Sequence, residues 1–413
     1  MPFIVLACLL GAAAYLPILN NGFIADDYVI LQRVEFLKTD PLFLYHAAPE
    51  NFRMVSYLIF GALKAVAGYH AWPFYAFNIG LHLANIILLT RLLQTLLGDK
   101  ATARLAVLLF AVFQAPQEAV MWLAAMNETT LFFFALLTLL CWSRERRAPA
   151  AAFYAVALFC KESAILIPVI VLLMDLYQGK HLSWRKYGWI ALPTAIFAGI
   201  FLMTLSGNFM LTNRSYAFGV QALVVLGKSL HRLVWPWLYI VLVLVGIKLR
   251  RWPNVSLIAG YLACIVVMML PYMFIAYQTS LPSRQLYLAS AVFMTMLAVQ
   301  LRPLFGTFLL KVIVIAFVAF NVGYLWIRKD PQFEERAAPT TQLIDILRQN
   351  KPQRTLIKNF AYPYPDIAKA AALAVPGWDD PAAISTDEGD AECRECLRLT
   401  WNPDSETYET KQQ

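Results

Sequence analysis

Apolar residues run through this chain in blocks rather than in stripes. Blocks of about 17 to 23 residues match a bilayer core of roughly 30 Å at 1.5 Å rise per helical residue. They lie near 3–19, 74–97, 102–116, 128–143, 187–206, 233–248, 254–276, 285–301 and 305–327, with a shorter pair at 150–160 and 163–177. Beyond Asp330 the blocks cease. There Thr341 to Gln349 predicts a helix, Arg354 to Phe360 and Cys396 to Trp401 predict short strands, and Pro/Asp/Gly-rich connections separate them.

Basic clusters alternate with loops that almost lack them. Lys100 with Arg104, Arg144-Glu145-Arg146-Arg147, Lys180 with Arg185-Lys186, Lys248 with Arg250-Arg251, and Arg302 all fall on one side, which is cytoplasmic by the positive-inside rule. Because the Arg144 and Arg185 clusters share that side, residues 150–177 cross twice or not at all. A short helical hairpin is expected, its tip at Cys160-Lys161-Glu162-Ser163 on or just below the outer surface. Eleven helical passes then put the N-terminus inside and the C-terminus outside.

Composition agrees with this reading. About 60% of the 413 residues are apolar and 15% charged, with a mean hydropathy of +0.58. A soluble globule could not bury that much apolar surface. The net charge of +8 is segregated: residues 1 to 330 hold 25 Lys/Arg against 12 Asp/Glu, the remainder 9 against 14. A nucleic-acid reading of the overall basic charge therefore fails. Phe3 to Leu19 lacks the basic n-region and A-x-A site of a signal peptide and is expected to be the first membrane helix. Cys8, Cys141, Cys160 and Cys264 sit in apolar runs as small hydrophobes, while Cys393 and Cys396 are expected to form a local disulfide. The fold class is thus an all-α polytopic membrane protein, residues 1–329, with a small α/β C-terminal domain at 330–413. The external loop 20–73 carries interfacial helices such as Tyr57 to Val66, and 219–232 looks similar.

Eight of the twelve acids before residue 331 converge on the outer face: Asp26, Asp27, Glu35, Asp40, Glu50, Glu118, Glu128 and Glu162. Charge inside or just under a bilayer is costly, so each such group is a site candidate. Asp26-Asp27 ends the first apolar block. An Asp there caps the segment beginning at Tyr28, but two adjacent carboxylates repel, which favours a functional pair. Lys161-Glu162 reads either as a local ion pair holding the hairpin turn or as a lysine for an anionic phosphate oriented by its neighbour. Glu118, alone in the apolar loop Gln114 to Trp122, admits structure and function equally. Asn78, His82 and Asn85 share one helical face, and such a face more often hydrogen-bonds between helices than binds a ligand. Arg284 is either a snorkelling anchor or a planar fork for phosphate.

Several short patterns, in order, resemble the membrane core of the GT-C glycosyltransferases. They are Asn21-Gly22-Phe23 leading to Asp26-Asp27, the Asn78/His82/Asn85 face, Pro116-x-Glu118-x-Val120-x-Trp122, Lys161-Glu162-Ser163 followed by Pro168 and Asp175, and Arg284-x-x-Tyr287-Leu288. The nearest branch is similar to bacterial relatives of the transmembrane-and-tetratricopeptide-repeat O-mannosyltransferases, although the chain shows no such repeats. The set spans roughly residues 1 to 330. It departs from the pattern at Ala125-Met126-Asn127-Glu128 and at Gln285-Leu286, where sugar and acceptor contacts would lie.

The resemblance implies a multi-pass protein of the bacterial inner (plasma) membrane with its site on the periplasmic face. It implies a polyprenyl-phosphate-linked sugar donor, such as undecaprenyl phosphate carries, and an acceptor hydroxyl on a surface glycan, a glycolipid or a secreted protein such as a pilin. Asp27 is expected as general base with Asp26 orienting it, Lys161 and Arg284 as ligands of the donor phosphate, and Glu118, Glu162, Glu128, His82 and Tyr287 as supporting residues. No metal is expected to be required; the acids would admit only a hard, oxygen-bound ion such as Mg²⁺ or Mn²⁺. Two other classes fit part of the pattern. A flippase of lipid-linked intermediates predicts repeat symmetry and midplane charges, and an envelope assembly subunit would work through its acidic tail.

Overall fold

The computed structural model describes residues 2–40, 42–44, 53–204, 207, 215–240, 255–275, 282–378, 380, 383–386 and 396–412. Its helices are α1 (Pro2–Tyr15), α2 (Asp26–Arg33), α3 (Met54–Ala67), α4 (Trp72–Leu97), α5 (Lys100–Val112), α6 (Met126–Ser143), α7 (Arg147–Cys160), α8 (Ile167–Tyr177), α9 (Trp184–Thr204), α10 (Gln221–Val234), α11 (Val255–Met269), α12 (Tyr287–Leu304), α13 (Thr307–Tyr324), α14 (Asp330–Asn350) and α15 (Asp366–Ala372). Short helical turns at Phe36–Thr39, Glu118–Met121, Leu123–Ala125 and Ser283–Leu286 lie between them.

Among the described residues, six helical stretches are long and apolar enough to cross a membrane: Phe3–Asn20, Ala71–Leu97, Leu123–Ser143, Trp184–Thr204, Ser283–Leu304 and Thr307–Asn350. They coincide with six of the blocks predicted from hydropathy. The other expected passes are shorter or incomplete. The block at 102–116 becomes the 13-residue α5, and the one at 254–276 the 15-residue α11. Residues 241–248 of the 233–248 block lie outside the described residues. The hairpin forms from α7 and α8, joined through Lys161 and a 3₁₀ turn at Glu162–Leu166.

The brevity of α5 follows from its position. It is buried along nearly its whole length and packs against α1, α4, α12 and α13, so it meets protein on most sides rather than lipid. Asp99 caps its start, accepting from the Ala101 amide at 3.0 Å. Gly98 ends α4 in the left-handed conformation. Gly11 lets α1 lie close on α4, since a Cβ there would come within 2.8 Å of Ile86 Cδ1.

The last predicted pass continues as a helix beyond its apolar block. A π-turn at Leu325–Lys329 joins α13 to α14 in one 44-residue helical stretch, so α14 begins about ten residues before the expected helix at 341–349. Pro331 lies in its first turn, where a missing N–H costs nothing. This rod carries the C-terminal domain. Strands β1 (Thr355–Lys358), β2 (Ile384–Ser385), β3 (Leu397–Asn402) and β4 (Thr407–Gln412) form a sheet in the order β2-β1-β3-β4. β1 runs parallel to β2 and β3, and β4 antiparallel to β3. Leu397, Leu399 and Trp401 alternate inward along β3. Cys396, at its start, is disulfide-bonded; Cys393 lies outside the described residues. Helix α15 packs both on α14 and on α2, which sets the C-terminal domain directly against the acid-bearing loop.

Candidate active site

The loop between α1 and α4 folds back over the bundle, and its backbone explains the Asn21-Gly22-Phe23 pattern. The Tyr75 hydroxyl donates to the Gly22 carbonyl at 3.0 Å, and Thr340 on α14 donates to that of Phe23 at 3.3 Å. A Cβ on Gly22 would meet Thr341 Oγ1 at 2.6 Å, so glycine is what lets α14 seat on this loop.

Helix α2 separates the two aspartates. Asp27 is fully buried, and its carboxylate accepts from two backbone amides, Ile24 at 2.8 Å and Ala124 at 2.7 Å. It pins the loop to the turn at Leu123–Ala125. Burial pushes its carboxyl up, to about 8, against the pull of those two amides. Asp26 faces the other way, into a cavity of about 280 Å³. The geometry thus distinguishes the two members of the pair: Asp26 lines the cavity, and Asp27, expected as the base, has its carboxylate engaged by the Ile24 and Ala124 amides.

Asp26, Val29, Ile30 and Arg33 contribute one helical face to this cavity; Arg53, Ser56 and Tyr57 come from the start of α3 and the residue before it. Trp122, Asn127, Lys161, Glu162, Tyr272, Arg284 and Gln285 close the remaining walls. Four cationic side chains thus face two carboxylates. Burial raises the Asp26 carboxyl above its ordinary range, while Arg284, Arg53 and Arg336 pull it back. Among the described residues, buried polar atoms of the lining lack a hydrogen-bond partner: Arg53 Nε, Ser56 Oγ, Trp122 Nε1, Asn127 Oδ1 and Gln285 Oε1. A wall with such donors and acceptors suits a polar ligand, because an unmet buried polar group costs about 1–3 kcal/mol.

The charged pairs differ from the sequence expectation. Lys161 pairs with Glu128, not with its neighbour Glu162; both members are almost wholly buried. The ammonium also lies 4.6 Å from the centre of the Tyr272 ring, whose hydroxyl donates to Ser163 at 2.6 Å. The hairpin tip thus forms one wall of the cavity. Glu162 lines the cavity. Glu118 lies between two guanidinium groups, Arg284 Nη1 at 3.6 Å and Arg336 Nη1 at 3.7 Å. Both arginines also lie over the Trp122 ring, 4.7 and 4.6 Å from its centre.

His82 and Tyr287 stand away from the cavity lining. His82 Nε2 donates to the Ala111 carbonyl at 3.0 Å, which leaves Nδ1 to accept from the Tyr287 hydroxyl at 2.6 Å. Asn78 donates to the Ala119 and Val120 carbonyls, and Asn85 to that of Thr129. The polar face of α4 therefore ties together α5, α6 and α12.

Arg33, Arg53 and Arg336 were not singled out in the sequence. A lone arginine in an interfacial stretch or an acidic helix carries no motif. The only available signal was the i, i+7 spacing of Asp26 and Arg33 on α2. Among the described residues no group of three His, Cys, Asp or Glu side chains is arranged to hold a metal ion. Of the acids considered, Asp27 is engaged by backbone amides and Glu118 by two arginines.

No family model matches the chain. The mouse (Mus musculus) protein O-mannosyl-transferase TMTC2 is 26% identical to it over 242 residues, which is 51% of this chain and 28% of that protein. The match makes the chain a distant, partial relative of an O-mannosyltransferase, spanning under a third of that relative's length.

Proposed function

We propose that this chain is a membrane glycosyltransferase that moves a sugar from a polyprenyl-phosphate donor to an acceptor hydroxyl, with Asp26 as general base. The observation that carries the reading is the shared cavity, where Asp26 meets Arg53, Arg284 and Lys161. The distant O-mannosyltransferase relationship supports it and makes a mannosyl donor the first to test.

In the proposed reaction the acceptor oxygen attacks the anomeric carbon and its proton passes to Asp26. The bond from that carbon to the phosphate oxygen breaks, and the lipid phosphate leaves with the electron pair. A positioned base contributes about 10²–10⁴-fold to such a step. Negative charge grows on the departing phosphate, and Arg284 and Arg53 stabilise it from the cavity wall. Lys161 enters with its charge balanced at close range by the buried Glu128, whereas Arg284 shares Glu118 with Arg336 at longer range, so the two arginines carry most of the phosphate recognition. No step is routed through a metal. The distribution of Lys and Arg supports an outer-face site, and the resemblance supports reading that face as the periplasmic side of a bacterial inner membrane. The acceptor is a surface glycan, a glycolipid or a secreted protein.

The test uses the full chain in lipid nanodiscs, given polyprenyl-phosphate sugars and cell-envelope fractions from a strain lacking the gene. Sugar transfer by the wild type and its loss in Asp26→Asn are expected. Wild-type protein that binds no polyprenyl-phosphate sugar would overturn the reading. Mass spectrometry of envelope glycans, lipids and secreted proteins from the same strain identifies the acceptor.

A further inference from the structure

The helical rod brings one more residue against a wall of the cavity. Arg336 lies on α14, beyond the last membrane pass. Its guanidinium pairs with Glu118 at 3.7 Å and lies 4.6 Å from the Trp122 ring centre. Its own backbone carbonyl accepts from the Tyr362 hydroxyl, and Phe333 lies under the guanidinium at 4.9 Å. Arg336 is thus fastened to the C-terminal domain at one end and to the cavity wall at the other.

Two guanidinium groups over one indole repel each other unless an anion lies between them. Glu118 meets that need, with Oε2 towards Arg284 and Oε1 towards Arg336. Its backbone amide donates to Ser283 Oγ at 3.1 Å and its Oε2 accepts from the Arg284 amide at 3.4 Å, which ties both ends of the acid to the turn at Ser283–Leu286. A ring engaged by two cations in this way has little freedom to turn. Trp122 is also the lining residue whose Nε1–H is buried without a partner, and an indole N–H is a donor only.

We infer that Arg336 is a positioning residue: with Arg284 and Glu118 it fixes the Trp122 indole so that Nε1–H donates to an oxygen of the bound donor. The oxygen belongs to a sugar hydroxyl or to the phosphate. This rests on the proposed transfer reaction and extends it, since it makes the C-terminal domain part of the donor site.

The test compares wild type, Arg336→Ala, Arg336→Lys and Trp122→Phe as full chains in nanodiscs, with polyprenyl-phosphate mannose as donor. Arg336→Ala is expected to raise the donor KM about tenfold with kcat little changed, and Arg336→Lys to restore most of the loss. Combining Arg336→Ala with Trp122→Phe should be no worse than the worse single change, because both remove one contact. Labelling with 5-fluorotryptophan adds a readout independent of turnover. The ¹⁹F resonance that vanishes in Trp122→Phe should shift or broaden in Arg336→Ala, while the other tryptophan resonances stay. An unmoved Trp122 resonance, or KM penalties that multiply in the double variant, overturns the inference. If the wild type transfers no sugar, the proposed function fails, and the ¹⁹F comparison still decides whether Arg336 holds Trp122.

Discussion

Asp26 and Asp27 are adjacent in the chain, yet the first lines the cavity while the second has its carboxylate filled by the amides of Ile24 and Ala124. Their substitutions should therefore fail in different ways. Asp26→Asn is expected to fold and insert normally and to lose about 10²–10⁴-fold in turnover. Asp27→Asn presents an NH₂ to one of two amide donors, so it should lose about 1–3 kcal/mol of stability. Thermal unfolding in detergent beside a transfer assay separates the two. The assignment fails if Asp26→Asn turns over like wild type.

The pH profile should carry the mark of the same cavity. A general base works ionised, so activity falls as pH drops through its pKa. Burial holds the Asp26 carboxyl above its ordinary range, and the acidic limb of kcat/KM should lie correspondingly high. Arg53 is one of the charges that lower it. Arg53→Gln should therefore move the limb further up; a limb that stays put removes Arg53 from the neighbourhood of the base.

Lys161 and Glu128 form a buried pair. Replacing either partner alone strands a charge, at about 3–5 kcal/mol. The double change Lys161→Met with Glu128→Leu should recover most of that stability, checked by unfolding temperature and by yield from the membrane. A double variant no more stable than the singles would mean that the partners act separately.

Tyr287→Phe should be felt in stability and not in chemistry. It leaves His82 Nδ1 without its donor at 2.6 Å, in a buried site, at about 1–3 kcal/mol. Donor KM should remain that of the wild type. A change in KM comparable to that from Arg284→Ala would bring the α4 face back into the substrate site.

Hydropathy made the helical architecture legible because a bilayer demands long uninterrupted apolar runs. It overran helix ends where helices meet other helices instead of lipid, as at α5 (Lys100–Val112 against a block read to 116), and missed a helix where charge disguises it, as in Asp330 to Pro339. The acid pair, Lys161, Glu162 and Arg284 were visible as expensive charges next to apolar blocks. Which carboxylate faces the cavity was not visible, since one residue along α2 turns a side chain by about 100° and no composition rule records the result. The Lys161–Glu128 pairing was hidden for another reason. Glu162 is the neighbour in sequence, and only the packing of α7 on α6 brings Glu128 closer.

The contact between Gly22 and Thr341 also orders events in time. Ribosomes deliver the acid-bearing loop before the α14 residues that close over it; Phe23 and Thr340, hydrogen-bonded to each other, are 317 residues apart. Until that second segment emerges, the loop has nothing to seat against and Trp122 lacks Arg336. A chain stalled or cleaved ahead of α14 would hold the helices before it without the contacts that α14 adds around Trp122, so the wall of the cavity is finished only once α14 has been made.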